Sequence, residues 1–205
     1  MAETFINVTE GSGKKLHTFD RTIGANSVHD EVVLLGHPYE ATYVIPVITT
    51  SVATAASHVL QVMAGASLNV YIHSIQLWQI VSATTAGYVE FDLRRITTAG
   101  TGGTAVTAVP NDTTDAAAGA SGMTLPTVKG TESGVTLDVM ASMFIQTPGV
   151  ATPAFRPVYE YVADGKLWKP IRIAAGAANG IAIKNVTAMA GASVAGRVIL
   201  TEANF

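Results

Sequence analysis

The sequence predicts an all-β fold: an antiparallel β-sandwich, jelly-roll-like, behind an extended N-terminal arm. Three observations lead there. Over Tyr88–Ile96 the residues Val89, Phe91 and Leu93 alternate with Glu90, Asp92 and Arg94, the pattern of a strand with one buried face. Short β-branched runs recur between turns rich in Gly, Pro and Asn. No segment carries an unambiguous helical stripe.

Taken in order, residues 1 to about 40 stand apart. They hold Lys14, Lys15, Asp20, Arg21, Asp30 and Glu31, with His17, His29 and His37, and glycines at 11, 13 and 24 interrupt them. Apolar periodicity is weak before Val32–Leu35. We read residues 1–40 as an arm and 41–205 as the sandwich domain; the ordinary alternative makes the arm the first edge strand of that sandwich. Tyr43–Ile48 contains Pro46, which suits an edge strand. His58–Met63 is the next strand. Leu68–Ile80 follows, with its apolar parity flipping after His73-Ser74, as at a bulge. Thr97–Thr131 is dominated by Gly, Thr, Ala, Asp and Pro, and a connection this long is often functional or mobile. Val135–Gln146 fits both a helical and a strand pattern, and the surrounding β pattern favours a strand. Leu167–Ile173, Ile181–Lys184 and Val194–Leu200 complete the set. The string Met63-Ala64-Gly65-Ala66-Ser67 recurs at 189–193, which we read as one glycine turn used twice.

Composition narrows the function. Charged residues make up 13% of the 205, about half the usual share of roughly 25%, so a surface covered by partners is expected. The net charge of −3, without a basic stripe, argues against nucleic-acid binding. The absence of cysteine excludes disulfides and thiolate chemistry. No apolar stretch reaches the roughly 18 residues of a membrane helix, so no membrane is expected as a partner. The first ten residues do not read as a secretory signal.

Catalytic and cofactor motifs fail in detail. Gly11-Ser12-Gly13-Lys14-Lys15 lacks the earlier glycine and the final Ser or Thr of a phosphate loop. Gly100-Thr101-Gly102-Gly103 lacks the third glycine of a dinucleotide fingerprint. The histidines match no ligand spacing. Asn111, Asp112 and Asp115 read as turn residues rather than a calcium loop. Glu90 and Asp92 have the spacing of an acid pair, but beside Arg94 they read as a solvated strand face. We therefore expect no enzyme and no cofactor. Trp78, Tyr88, Tyr159, Tyr161 and Trp168 serve core or interface, with a sugar platform as the alternative.

Lys14–Asn26, continuing through His29-Asp30-Glu31-Val32-Val33, resembles the opening of small virion structural proteins of tailed bacteriophages. Pro170–Gly176 and Asn179–Ile183 are similar to the same group. The resemblance is spread over the chain and transfers no active-site residues. It implies a virion component, assembled in the host cytoplasm and mounted on head or tail. A capsid decoration or cement protein is the expectation, and a tail- or fibre-associated protein contacting host glycans the alternative. Its partners would be the major capsid protein or other virion subunits and further copies of itself, as a trimer. Lys14, Lys15, Phe19, Arg21, Ile23 and Trp168 are the expected partner-binding residues.

Overall fold

The computed structural model describes residues 18–23, 26–31, 41–81, 83, 87–144, 156–163 and 169–203. The chain divides into two units, Met1–Tyr39 and Glu40–Phe205.

In the first unit, β1 (Thr18–Ile23) and β2 (Asn26–Glu31) pair antiparallel in a two-stranded sheet of their own. The described part of the expected arm is thus a hairpin, not one extended segment. Its register runs from Thr18 opposite Glu31 to Ile23 opposite Asn26. Val32–Leu35 lie outside the described residues.

The second unit is all-β and built on two antiparallel sheets. Its long strands are β3 (Thr42–Ser51), β4 (Ser57–Met63), β5 (Asn69–Val81), β6 (Gly87–Ile96), β10 (Glu132–Phe144), β11 (Arg156–Val162), β13 (Gly180–Asn185) and β14 (Ser193–Ala203). The short ones are β7 (Thr104–Thr107), β8 (Val109–Pro110), β9 (Ser121–Thr124) and β12 (Ile171–Ile173). One sheet runs β10-β6-β13-β4-β9-β7 and the other β11-β5-β14-β3-β8, with β12 also on β5. Among the eight long strands the pairing is nested. The first pairs with the last (β3 with β14), then β4 with β13, β5 with β11 and β6 with β10. Successive pairs fall in alternate sheets, so one long hairpin is wound over on itself.

The core lies between the sheets. Val89, Phe91 and Leu93 of β6 are all fully buried, as their alternation predicts, and Ile72, Ile75 and Leu77 of β5 meet them from the other side. The Phe91 and Tyr159 rings cross edge to face, centroids 6.3 Å apart at 72°, joining the two layers. The bulge expected in β5 is present. Ile199 and Leu200 of β14 pair with Ser74 and Ile72, leaving His73 as the extra residue where the buried parity changes.

Several expectations need correction. Asp92 is 4% exposed, so β6 does not carry a uniformly solvated polar face. His58, at the start of β4, is fully buried. The repeated string is not one turn used twice. Gly191 has φ +75°, whereas Gly65 has no positive φ and is needed because a Cβ there would lie 2.9 Å from the Gly119 backbone. Thr97–Thr131 is structured. β8 extends the sheet at β3, while β9 and β7 extend the other at β4, so this one segment closes an edge of each sheet.

Candidate functional site

The densest polar cluster among the described residues surrounds Glu132, the first residue of β10. It sits on the face of its sheet turned away from the core. On β4 Val59, Leu60 and Val62 belong to the core while Gln61 and Met63 face outward, and a bulge at Val59 brings His58 to the side of Gln61. On β13 and β6 the corresponding outward residues are Ala182 and Lys184, and Asp92, Arg94 and Ile96. A strand face of this kind would be wet, yet His58 and Gln61 are 0% and 1% exposed. The covering is the two ends of the 97–131 segment. Gly100 and Gly130 pass so close over Gln61 that a Cβ on either would meet its amide, at 2.9 and 3.1 Å.

The Glu132 carboxylate receives Lys129 Nζ at 3.1 Å, Lys184 Nζ at 3.1 Å, Arg94 Nη1 at 3.3 Å and His58 Nε2 at 3.3 Å. Burial alone would raise its pKa. The hydrogen bonds from Lys184 and Lys129 outweigh that and hold it down at about 2. Arg94 also donates Nε to Asp92 Oδ2 at 2.9 Å, which accounts for the burial of Asp92.

Behind the carboxylate the bonds run inward as a chain. The amide Nε2 of Gln61 donates to His58 Nδ1 at 2.6 Å, and Gln61 Oε1 accepts the Gly100 N–H at 2.7 Å. This pattern assigns the imidazole proton to Nε2, facing Glu132. Burial depresses the His58 pKa, and the bond to Glu132 offsets this only in part. A neutral histidine hydrogen-bonded to a carboxylate has the composition of a general-base dyad. Here the imidazole is sealed under the segment and both ring nitrogens are engaged, so the dyad anchors the covering segment to the sheet.

A second anchor lies on the other sheet. Glu202 of β14 is 9% exposed and accepts the backbone N–H groups of Gly119, at 3.0 Å, and Ala120. Tyr43 donates its hydroxyl to the Ala116 carbonyl at 3.1 Å. Asp112 caps its own turn through Thr114 N at 2.9 Å, as expected of a turn residue.

The residues expected to bind partners are not gathered into one site. Phe19, Arg21 and Ile23 take alternate positions in β1, opposite Asp30, Val28 and Asn26. Lys14, Lys15 and Trp168 lie outside the described residues. The other aromatics separate: Tyr159 and Tyr161 are core, whereas Tyr88 is 62% exposed. Glu132, His58 and Gln61 were not singled out together from sequence, being distant along the chain. The available signal was one histidine and one glutamine three apart in an otherwise apolar strand.

Comparison with known protein families, with characterised proteins and with solved structures finds no match for this chain.

Proposed function

We propose that this chain is a non-catalytic structural protein of a tailed-bacteriophage particle, and specifically a capsid decoration or cement protein. The observation that carries the reading is the nested winding of the eight long strands, which we take as a jelly roll. That double-sheet form recurs in viral capsid and lectin domains and in cupins. The cupin branch draws no support here, since no group of three or more metal-ligating side chains occurs among the described residues. The virion resemblance of Lys14–Val33 then favours the capsid branch over the lectin branch.

Surface character supports the reading. Tyr88 of β6 and Val139 of β10, on the outward side of their sheet, are 62% and 55% exposed. Apolar side chains there suit a face that another subunit covers. In this reading the copies associate as trimers at three-fold positions of the shell, and residues 1–40 contact the neighbouring capsid subunit. The lectin branch corresponds to a tail- or fibre-associated protein that contacts host glycans.

Quantitative mass spectrometry of purified particles tests this. Copy number on the scale of the major capsid protein supports a shell protein, and a count typical of tail parts moves the chain to the alternative. Its absence from particles overturns both. A chain starting at Pro38 that stays folded but no longer attaches to particles assigns attachment to the first unit.

A further inference from the structure

One groove of about 370 Å³ opens where the end of β6, the start of β10, β12 and the turn before β13 come together. Its size is at the lower end of the roughly 300–1,000 Å³ of small-ligand sites. Arg95, Arg172, Thr97, Ser133 and Asn179 supply its polar lining.

Arg95 occupies a core-facing position. It continues the inward series Val89, Phe91, Leu93, and at the strand end its guanidinium emerges where an apolar side chain would have closed the sandwich. Nη1 of Arg95 donates to the Arg172 carbonyl at 2.6 Å, and Nη2 of Arg172 donates to Asn69 Oδ1 at 3.2 Å. Neutral oxygens thus hold both cations. The turn beneath them is fixed: Asn69 Oδ1 also accepts the Ala175 N–H at 3.0 Å, and Asn179 Nδ2 donates to the Ala175 carbonyl at 3.1 Å.

The charge distribution is uneven. Arg94, Lys129 and Lys184 are all paired with Glu132 on the far face of the sheet. Neither Arg95 nor Arg172 has a carboxylate within ion-pair distance among the described residues. Burial without a counter-charge lowers the pKa of Arg95. Holding a partly desolvated guanidinium this way is costly, and an arriving anion would relieve the cost. Guanidinium forks match planar and tetrahedral oxyanions through paired N–H bonds, and among the described residues most of the donors on both arginines are uncommitted.

We propose that this groove is an oxyanion-binding site, taking the carboxylate, sulfate or phosphate of a small acidic ligand between Arg95 and Arg172. Thr97, Ser133 and Asn179 bond the polar atoms next to the anion. The site is independent of the virion reading and stands or falls separately.

The test is titration of the full chain with inorganic phosphate and, separately, with a sulfated uronate disaccharide. Ionic strength is held constant with chloride, so that general screening is unchanged. Backbone amide NMR shifts at Ile96, Thr97, Ser133 and Gly180 report binding. Both probes are expected to move these signals, and Arg172→Gln, at an exposed position, to weaken binding at least about tenfold. Arg197→Gln, on β14, should leave affinity unchanged. Tighter binding of the disaccharide assigns the site to acidic saccharides; equal or tighter phosphate binding assigns it to the free anion. Unmoved groove signals with both probes, or unchanged affinity in Arg172→Gln, overturn the proposal. Arg95→Gln should abolish binding, and if it fails to fold, the Arg172 variant still decides.

Discussion

Gln61 Nε2 lies 2.6 Å from His58 Nδ1, and the other end of the same amide holds the Gly100 N–H. One buried side chain therefore sets the histidine tautomer and ties down the covering segment. Gln61→Leu keeps the bulk but leaves a ring nitrogen and a backbone N–H without partners. Each unsatisfied buried group costs about 1–3 kcal/mol, so a loss of about 2 kcal/mol or more is expected in urea unfolding. Protease cleavage within 97–131 should accelerate in the same variant. Unchanged stability would remove the anchoring role.

Acid should weaken the protein in two stages. His58 has a folded pKa below its ordinary 6.5, so the unfolded chain binds the proton more readily. Its contribution is complete above about 6.5 and declines as pH falls through the folded value. Glu132 has a folded pKa of about 2 against an ordinary 4.5, so its contribution is lost between those values. Protonating His58 also places an N–H against the Gln61 amide N–H. His58→Gln should remove the upper stage and leave the lower one. Denaturant unfolding over a pH series checks this, and two unaltered stages in the variant would refute it.

The Phe91–Tyr159 contact joins the two sheets, and the Tyr159 hydroxyl donates to Asp138 Oδ2 at 3.0 Å. Phe91→Ala should cost about 3–5 kcal/mol. Tyr159→Phe keeps the ring and should cost about 1 kcal/mol through the lost hydrogen bond. In a double-mutant cycle Phe91→Ala and Tyr159→Ala should couple by roughly 0.5–1.5 kcal/mol, while additive losses would show the ring contact to be incidental.

Gly196 of β14 pairs with Leu77 of β5 on one side, and on the other side the pairing with β3 shifts register between Val194 and Gly196. A Cβ there would overlap the Gln76 carbonyl oxygen, which belongs to backbone and cannot turn aside. Gly196→Ala should destabilise by roughly 1–3 kcal/mol, more than alanine at a strand glycine in open space. Gly134, with nothing within 4 Å, is the comparison, although its own φ of +82° adds strain. Equal losses at both would show that φ, not crowding, governs.

The sandwich was legible because its signals are local. Val89, Phe91 and Leu93 alternate within one strand, and the parity change at His73 marks the bulge within another. Val135–Gln146 was ambiguous because Leu137 and Ala141 satisfy both periods; pairing with β6 decides for strand. The strand at Arg156–Val162 went unread, with Pro157 at its start masking a sheet edge. The order in β7–β9 was hidden for another reason. Thr, Gly and Ala carry little periodicity, and those strands exist because β3 and β4 offer edges to extend. The Glu132 cluster is long-range throughout, joining residues from 58 to 184, so spacing could not reveal it.

The nested pairing has a consequence for synthesis. β14 fills the middle of its sheet, between β5 and β3, yet it is the last of the described strands to leave the ribosome. Until Ser193–Ala203 emerge, β3 and β5 face each other across a vacant strand position with their hydrogen-bonding edges open. Such edges recruit other chains, and on a crowded polysome those are nascent copies of the same sequence. The sheet therefore closes only after translation has passed Ala203, through contacts spanning more than a hundred residues, which makes folding slow as well as late. A transcript truncated before codon 193 would yield a sticky half-sandwich, not a smaller working one.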